Sequence, residues 1–323
     1  MFVLRFDLRI PPFVETLTHG DQYREFLKMV EWADDKGFAA VVLSEHHGTE
    51  DGYMNSPLLL AGSVLGATNT LFCSVSALLL PLHDQLRIAE EIATIDLIAP
   101  GRFNVVVGIG YRESEFEMFA KNRKTRGKDT EEGIRTILTA LKGEPFEYKG
   151  REVLISPKPV SDPSSLISVG GSVEISAKRA ARLGLPFVPA VRDDSLEKAY
   201  YAEAREVGYE NPMCMMPSGA GMVMVSEDPE RLWSDIGENL IYDAVTYASW
   251  QYQDQRSSWH VEGASIDELK KGGQHLIVTP EECVDLVRSN GAVVLHPLVG
   301  GLDPEIGWES LELVADRVIP ALN

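Results

Sequence analysis

The chain has 323 residues, 44% of them hydrophobic, and is therefore long enough to bury a sizeable core. Its net charge of −19, from 30 basic and 49 acidic side chains, argues against a partner bound through a phosphate backbone and so excludes nucleic acid from the expected partners. The three cysteines are too few and too scattered for a disulfide framework or a zinc cluster, which predicts a cytoplasmic location.

The sequence predicts no association with a membrane. Residues 1–12 lack the cationic region, the long apolar core and the small-residue cleavage site of a secretion signal. No apolar segment is long enough to span a bilayer. We therefore expect a cytoplasmic protein without a membrane partner.

Strand-like apolar runs alternate with helical segments along the chain, a pattern typical of a parallel sheet with crossover helices. The predicted strands cover residues 2–8, 39–43, 71–80, 102–107, 166–169, 186–189, 220–225 and 292–295. The predicted helices cover residues 23–36, 56–66, 83–97, 130–142, 174–183, 197–207 and 229–240. About eight such strands fit a closed barrel better than an open sheet. We predict an α/β fold, a (β/α)8 TIM barrel with insertions, as a single domain over residues 1–323.

Two segments do not fit this repeat. Residues 122–130 are charged and predict a loop. Residues 246–274 carry Trp250 and Trp259 among polar side chains, and a connection of this length in a compact domain is often functional. We expect the second segment to be a lid or an insertion. Its two tryptophans are candidates for a substrate pocket, with packing in the core or lid as the alternative.

The strand predicted at residues 39–43 ends at Ser44-Glu45-His46-His47-Gly48, where ionisable side chains replace apolar ones. Chemistry in α/β proteins takes place at the carboxyl ends of strands, which makes Glu45 and His46 candidate catalytic residues. The alternative is a buried histidine that Glu45 holds for packing. A metal-dependent hydrolase is disfavoured because adjacent residues of an extended chain, here His46 and His47, point in opposite directions. We therefore predict no metal site.

Two glycine clusters follow predicted strands. Gly108 and Gly110 come directly after the fourth strand, and Gly170 and Gly171 lie between the fifth strand and a helix. Glycine lets the backbone approach a ligand closely, and the amides at the start of a helix attract anions. A phosphate is compatible with both clusters. Tight turns also require glycine, however, and neither cluster completes a dinucleotide fingerprint.

Four ordered blocks resemble the bacterial luciferase-like superfamily of flavin-dependent oxidoreductases. They are SEHHG at residues 44–48, ALLLP at 77–81, DLIAPGRFNVVVGIGYRESEF at 96–116 and VGGSVEISAKRAARLGLP at 169–186. The resemblance covers about two thirds of the chain. It implies a (β/α)8 barrel with a flavin at the carboxyl ends of its strands, in agreement with the pattern of strands and helices.

The resemblance also implies roles for individual residues. His46 matches the histidine that faces the flavin ring, with Glu45 beside it. The dipeptide Ser76–Ala77 matches a position where family members often carry a non-proline cis peptide bond under the ring. The cofactor-binding residues that the resemblance implies are Ser76, Ala77, Gly108, Gly110, Tyr111, Gly170, Gly171, Ser172 and Ser176.

One departure from the family concerns the phosphate of the cofactor. Luciferase itself has an arginine before the second glycine of its first cluster, and this chain has Ile109. Phosphate binding is then expected to rely on backbone amides, on Ser172 and on Arg112. The departure also argues against a true luciferase activity.

The resemblance implies the chemistry of a reduced flavin. In a monooxygenase, reduced flavin mononucleotide (FMN) activates dioxygen for attack on an aldehyde, ketone or similar carbonyl compound, shielded from water. A histidine, with an ordinary pKa of about 6.5, is suited to move a proton in this reaction, and Glu45 to set the tautomer of His46. Many relatives instead transfer hydride with the deazaflavin coenzyme F420. These commonly carry an aspartate–histidine pair, so Glu45 beside His46 favours FMN.

We predict a flavin-dependent oxidoreductase, specifically a monooxygenase that uses reduced FMN and dioxygen on a small organic substrate. The alternatives are an F420-dependent dehydrogenase and a non-catalytic flavin-binding protein of the same ancestry. A separate flavin reductase is a candidate partner that supplies the reduced cofactor. We expect a homodimer, because the family commonly dimerises and the predicted helices 56–66 and 83–97 are rich in alanine and leucine.

Overall fold

The computed structural model describes residues 1–251 and 265–322. Its strands are β1 (Phe2–Phe6), β2 (Ala40–Leu43), β3 (Phe72–Leu79), β4 (Phe103–Gly108), β5 (Phe146–Tyr148), β6 (Arg151–Val153), β7 (Ile167–Gly171), β8 (Phe187–Pro189), β9 (Met222–Val225), β10 (His275–Val278) and β11 (Val293–Leu295). Its α-helices are α1 (His19–Asp35), α2 (Pro57–Ala67), α3 (Gln85–Ile98), α4 (Glu113–Met118), α5 (Arg126–Ala140), α6 (Glu174–Arg182), α7 (Asp194–Glu206), α8 (Pro229–Trp250), α9 (Ile266–Gly272), α10 (Pro280–Asn290), α11 (Pro304–Leu313) and α12 (Ile319–Leu322). The alternation of strands and helices that the sequence predicts is confirmed.

Local sequence signals fix several helix starts. Helix α1 follows Thr18, whose hydroxyl accepts a hydrogen bond from Asp21 N while the Asp21 carboxylate accepts one from Thr18 N. Helix α10 begins with the same reciprocal arrangement between Thr279 and Glu282. Such capping boxes satisfy amides that the first turn of a helix leaves unpaired. None of the helices in the described ranges is long and apolar enough to cross a membrane.

Several elements differ from the expectations drawn from the sequence, and α4, α11 and the strands β5 and β6 were not predicted. The expected loop at residues 122–130 is wrong in its second half, because α5 already begins at Arg126 and places its charged side chains on an accessible face. Strand β10 was not predicted, since it comes directly after the polar segment 246–274 and has only three apolar residues. It pairs in parallel with β9.

The segment expected to be a lid, residues 246–274, consists of several parts. Residues 246–250 form the last turns of α8, which extends well beyond the predicted end at residue 240. Residues 266–272 form α9. The remaining core of the segment, residues 252–264, lies outside the described residues, so the lid stays a prediction.

The chain divides into two compact units. The first comprises Met1–Asn55, Ala67–Leu71 and Ser218–Asn323. Its strands are parallel and follow the order β10-β9-β11-β1-β2. Alternate residues of β1 point into the core, and Leu4 pairs with Val41 on one side and Leu295 on the other. The carboxyl ends of β1, β2 and β11 consequently meet at one edge, where polar residues begin.

The second unit comprises Ser56–Gly66 and Phe72–Pro217. Its parallel strands follow the order β3-β4-β7-β8, and β5 and β6 form a separate antiparallel hairpin. In the register of these strands Leu79 pairs with Gly108, and Gly171 pairs with Pro189. Both predicted glycine clusters therefore lie at the carboxyl ends of strands within this unit.

Candidate active site

The side chains that follow β2 are buried. Glu45, His46 and His47 are 2%, 6% and 6% exposed. Residues two apart in an extended chain project to the same side, and accordingly Glu45 Oε1 lies 2.7 Å from His47 Nε2. The carboxylate of Glu45 is thus engaged by His47, a pairing that the sequence analysis did not anticipate when it gave Glu45 the task of orienting His46.

The imidazole of His46 lies among aromatic rings. Its centroid is 4.7 Å from that of Trp250, 5.0 Å from that of Tyr53 and 5.9 Å from that of Tyr247. Its backbone N–H donates to the carbonyl of Met54, which fixes the loop after β2. Of the predicted site residues in this unit, the structure brings His46 and Trp250 together, whereas Trp259 lies outside the described residues.

Two tyrosine hydroxyls meet beside this histidine. The hydroxyl oxygens of Tyr53 and Tyr247 are 2.5 Å apart, and Arg5 Nη2 donates to Tyr247 Oη at 3.2 Å. Burial raises the pKa of both phenols. Both therefore stay protonated at neutral pH and form a short chain of hydrogen-bond donors and acceptors next to His46.

A buried ion cluster, here called the Arg9 cluster and made of Arg9, Asp51 and Asp243, supports these rings. Arg9 is fully buried, and its Nε and Nη1 lie 2.8 Å from Asp51 Oδ2 and Asp243 Oδ1. The guanidinium carbon also lies 4.9–5.5 Å from the ring centroids of Tyr53, Tyr242, Tyr247 and Trp250. Burial by itself lowers the pKa of the Arg9 guanidinium. The negative charges of Asp243, Asp7 and Asp51 have a larger, opposite effect, so the pKa is raised overall.

Asp7 and His296 form a second buried pair at the same edge. Asp7 Oδ2 lies 3.7 Å from His296 Nε2, and neither atom has a hydrogen-bond partner. Burial raises the pKa of Asp7 to about 7; Asp243 adds to this effect and Arg9 opposes it. Burial likewise lowers the pKa of His296 well below its usual range. Near neutral pH this pair therefore holds a neutral imidazole and a carboxyl group poised to gain or lose a proton.

The sequence analysis missed Asp7, Arg9 and Asp243. The first two follow β1 directly, so the strand-end rule that selected His46 applies to them as well. Asp243, Tyr247 and Trp250 are spaced by four and then three residues on α8, which places them on one helix face. Their pairing with Arg9 spans 234 residues of chain and leaves no local signal.

In the second unit the peptide bond between Ser76 and Ala77 is cis, as the resemblance implied. Gly108 lies beside it, since a Cβ added to Gly108 would fall 2.9 Å from the Cβ of Ala77. Gly110 has φ +68°, a conformation that favours glycine, and half-buried Tyr111 follows it. Four predicted cofactor-binding residues, Ser76, Ala77, Gly108 and Gly110, therefore share one strand edge with little side-chain bulk.

The second glycine cluster adjoins α6. A Cβ on Gly171 would fall 2.4 Å from Oγ of Ser176, which is itself buried, and a Cβ on Gly170 would fall 3.1 Å from Val106. Ser172 is half-buried at the start of this turn. The two glycines thus form a close-packed turn, here called the glycine cradle, in which a Cβ would clash with Ser176 or Val106. Its backbone lies next to the first turn of a helix, where anions are stabilised.

A buried cation lies further along the same helix. Arg179 is 6% exposed, and its Nε and Nη1 have no hydrogen-bond partner. Orphaned buried donors and a glycine cradle are features that a phosphorylated ligand would satisfy. The residues of this unit therefore fit the phosphate-bearing part of a flavin nucleotide.

Comparisons with known proteins agree with these features. A family model described as luciferase-like monooxygenase matches residues 4–292. The alkanal monooxygenase alpha chain of Photobacterium leiognathi is 24% identical over 95% of both chains.

Solved structures are similar over the whole chain. The oxygenating constituent of 3,6-diketocamphane monooxygenase from Pseudomonas putida, a type II Baeyer–Villiger enzyme in complex with FMN, has a TM-score of 0.69 and 18% identity, and it covers 100% of this chain and 99% of its own. An F420-dependent secondary alcohol dehydrogenase in complex with an F420–acetone adduct has a TM-score of 0.70 and 16% identity, with coverages of 99% and 98%.

Parallel strands linked by crossover helices define an α/β fold, and the predicted (β/α)8 barrel class is confirmed by these structural likenesses. The chain belongs to the luciferase-like monooxygenase family. This family comprises flavin-dependent and F420-dependent oxidoreductases, so the predicted family is confirmed as well.

Proposed function

We propose that this protein is a monooxygenase that uses reduced FMN and dioxygen to oxygenate a small organic carbonyl compound. The observation that carries the proposal is the buried imidazole of His46 at the end of β2, enclosed by aromatic rings, in a chain of the luciferase-like family. A water-poor site with one proton-transfer group is what such a reaction requires.

The cofactor is proposed to lie on the second unit. Ser76, Ala77, Gly108, Gly110 and Tyr111 are the proposed contacts of the ring and ribityl chain. Gly170, Gly171, Ser172 and Ser176 are the proposed contacts nearer the phosphate. The absence of side chains at Gly108 and Gly171 supports this assignment, because these strand ends expose backbone without added bulk, and a flat ring and a phosphate need close backbone approach. When bound, reduced FMN supplies the two electrons that activate dioxygen.

His46 is the proposed proton-transfer residue. Its aromatic neighbours exclude water and hold the ring in place, and the Tyr53–Tyr247 hydroxyl pair offers a route for a proton beside it. Glu45 acts through His47, whose Nε2 it binds, and so shapes the loop that carries His46. Trp250 is the proposed wall of the substrate pocket, with Trp259 as a second candidate in that role.

An F420-dependent dehydrogenase is the second candidate, since the F420 enzyme matches the fold as well as the FMN enzyme does. The run Glu45-His46-His47, in place of an aspartate–histidine pair, supports FMN over F420. A non-catalytic flavin-binding protein has no need of a buried imidazole, so His46 argues against that third alternative.

The proposed setting is a cytoplasmic homodimer that receives reduced FMN from a separate flavin reductase. Exposed apolar side chains on α2 and α3, namely Leu59 at 73%, Leu97 at 41% and Ile98 at 51%, support a partner subunit on this face.

The test is an anaerobic titration of the full chain with reduced FMN and, in parallel, with reduced F420. We expect reduced FMN to bind at least ten-fold more tightly than reduced F420. Tighter binding of F420 would move the protein to the dehydrogenase alternative. Binding of neither cofactor would overturn the assignment of a reduced-flavin enzyme.

A further inference from the structure

Arg179 on α6 is a buried cation without adequate partners. The residue is 6% exposed, and its Nε and Nη1 form no hydrogen bond. Buried charges in proteins are almost always paired, because removing a guanidinium from water without a partner carries a large free-energy cost. The position therefore calls for an anion.

The nearest carboxylate does not meet this need. Glu131 Oε2 lies 3.8 Å from Arg179 Nε, beyond hydrogen-bonding distance, and Glu131 Oε1 accepts a hydrogen bond from Arg135 at 3.1 Å. Burial lowers the pKa of Arg179, Glu131 only partly offsets this, and the neighbouring charge of Arg182 lowers it further. Arg182 has its own partner, Glu203, at 2.7 Å.

The guanidinium of Arg179 lies against the first turn of α5. A Cβ added to Gly127 would fall 3.1 Å from Arg179 Nη2, so glycine lets the guanidinium approach the helix closely. Helix α5 has fifteen residues, and the side chain of Thr125 at its start forms no capping hydrogen bond. A helix start carries a partial positive charge and favours an anion. The guanidinium of Arg179 thus lies next to the first turn of α5.

Arg179 also shares a helix face with the glycine cradle. Ser176 precedes it by three residues on α6, and residues at this spacing are neighbours on a helix surface. Ser176 is the buried residue whose Oγ a Cβ on Gly171 would meet. The orphaned cation is therefore continuous with the segment assigned to the cofactor.

We propose that Arg179, together with the first turn of α5, binds the terminal phosphate of FMN. The inference rests on the proposed function and adds to it a phosphate-binding residue. A phosphate monoester dianion presents several oxygens to a planar guanidinium and pairs with it through two parallel hydrogen bonds. Riboflavin, which lacks this phosphate, gains nothing from Arg179.

The experiment compares FMN and riboflavin by fluorescence titration of the wild-type protein and two variants. Arg179→Met keeps much of the side-chain length and removes the charge. Arg182→Met is the matched control on the same helix, with a side chain 43% exposed. We expect Arg179→Met to weaken FMN binding at least ten-fold and to leave riboflavin binding within two-fold. Arg182→Met leaves both within two-fold.

A second readout separates this role from a structural one. Because the only ion-pair contact of Arg179 within the described residues is the 3.8 Å one with Glu131, the ligand-free Arg179→Met protein is expected to melt no lower than the wild type. A clearly lower Tm, or an equal loss of FMN and riboflavin affinity, would show that Arg179 supports the fold and would overturn the inference. Unchanged FMN affinity in Arg179→Met would overturn it while leaving the proposed function intact.

A titration with inorganic phosphate tells failure of the Arg179 site apart from failure of the proposed function. If the wild type binds neither flavin nor F420, a phosphate-dependent rise in Tm that Arg179→Met abolishes still supports an anion site at Arg179. Absence of that rise in the wild type would overturn the site along with the function. Arg179→Lys, which keeps the charge but loses the paired donors, is expected to bind FMN with intermediate affinity.

Discussion

The imidazole of His46 is held within 4.7 Å of Trp250 and 5.0 Å of Tyr53, measured between ring centroids. A positioned proton-transfer group contributes roughly 100- to 10,000-fold to a rate. His46→Ala is therefore expected to lower kcat by about 100-fold or more, measured with a verified substrate. Lys28→Ala, which alters a side chain on α1 that is 66% exposed, serves as the control and keeps its kcat. An unchanged kcat in His46→Ala would remove this residue from the mechanism.

Asp7 gives the structure a pH dependence of known sign. Its pKa is raised to about 7 in the fold, whereas an unfolded aspartate titrates near 3.9. Between these values the folded state holds a proton that the unfolded state has lost, so this group's contribution to stability is present below about pH 4 and is lost as the pH rises to 7.

Asp7→Asn removes that titration and keeps an acceptor for Arg9 N. Its stability relative to the wild type is expected to rise from pH 4 to pH 7, by up to about 4 kcal/mol, and then to level off. Urea unfolding at a series of pH values measures this difference. A stability difference that does not change with pH would contradict the account of Asp7.

At the scale of elements, the Arg9 cluster ties α8 to the loops after β1 and β2. Removing one partner of a buried ion pair typically costs about 3–5 kcal/mol, because the other charge stays buried and unpaired. Asp243→Ala is expected to lower the free energy of unfolding by that amount. Asp235→Ala on the same helix removes an exposed carboxylate 3.6 Å from Arg231 and is expected to cost about 1 kcal/mol or less. Equal effects of the two substitutions would contradict a special role for the cluster.

The turn between β7 and α6 depends on the absence of a side chain at Gly171. Gly171→Ala places a Cβ 2.4 Å from Ser176 Oγ, so either the turn or the helix must shift. FMN affinity, measured by fluorescence titration, is expected to fall at least ten-fold. Gly66→Ala provides the control, since a Cβ there meets no heavy atom within 4 Å. Equal FMN affinities in the two variants would show that the cradle is not used.

The sequence predicted those elements whose signals are local. Helix α1 was predicted at residues 23–36, although its capping box places the start four residues earlier, and the apolar run of β2 stops just before the polar residues Ser44 and Glu45, so the candidate histidine followed from neighbouring residues. Strand β10 was not predicted because its three apolar residues come directly after the polar segment 246–274. The end of α8 was not predicted because its last turns carry polar and aromatic residues, which pack against other elements of the fold.

The site was only partly predictable for a related reason. His46 and the glycine clusters were found from strand ends and family motifs, whereas the Arg9 cluster depends on contacts between residues far apart in sequence, such as Arg9 with Asp243. The bond between Glu45 and His47 followed a rule of extended chains that the sequence analysis applied only to the two histidines. Burial, which sets the pKa of Asp7, becomes visible only in the folded chain.

For the molecule as a whole, family membership and fold are compatible with two cofactors, because the similar structures include both an FMN enzyme and an F420 enzyme. The two chemistries differ in the fate of dioxygen. A monooxygenase inserts one oxygen atom of dioxygen into the substrate and releases the other as water, while reduced FMN is oxidised. A dehydrogenase transfers hydride and incorporates no oxygen from air.

The most direct test of the monooxygenase assignment is therefore a single-turnover reaction with pre-reduced FMN, ¹⁸O-labelled dioxygen and a panel of aldehydes and ketones, analysed by mass spectrometry. We expect at least one product to gain a single ¹⁸O atom, and the His46→Ala variant to form far less of that product. Turnover of alcohols with reduction of F420, and no ¹⁸O in any product, would contradict the monooxygenase assignment.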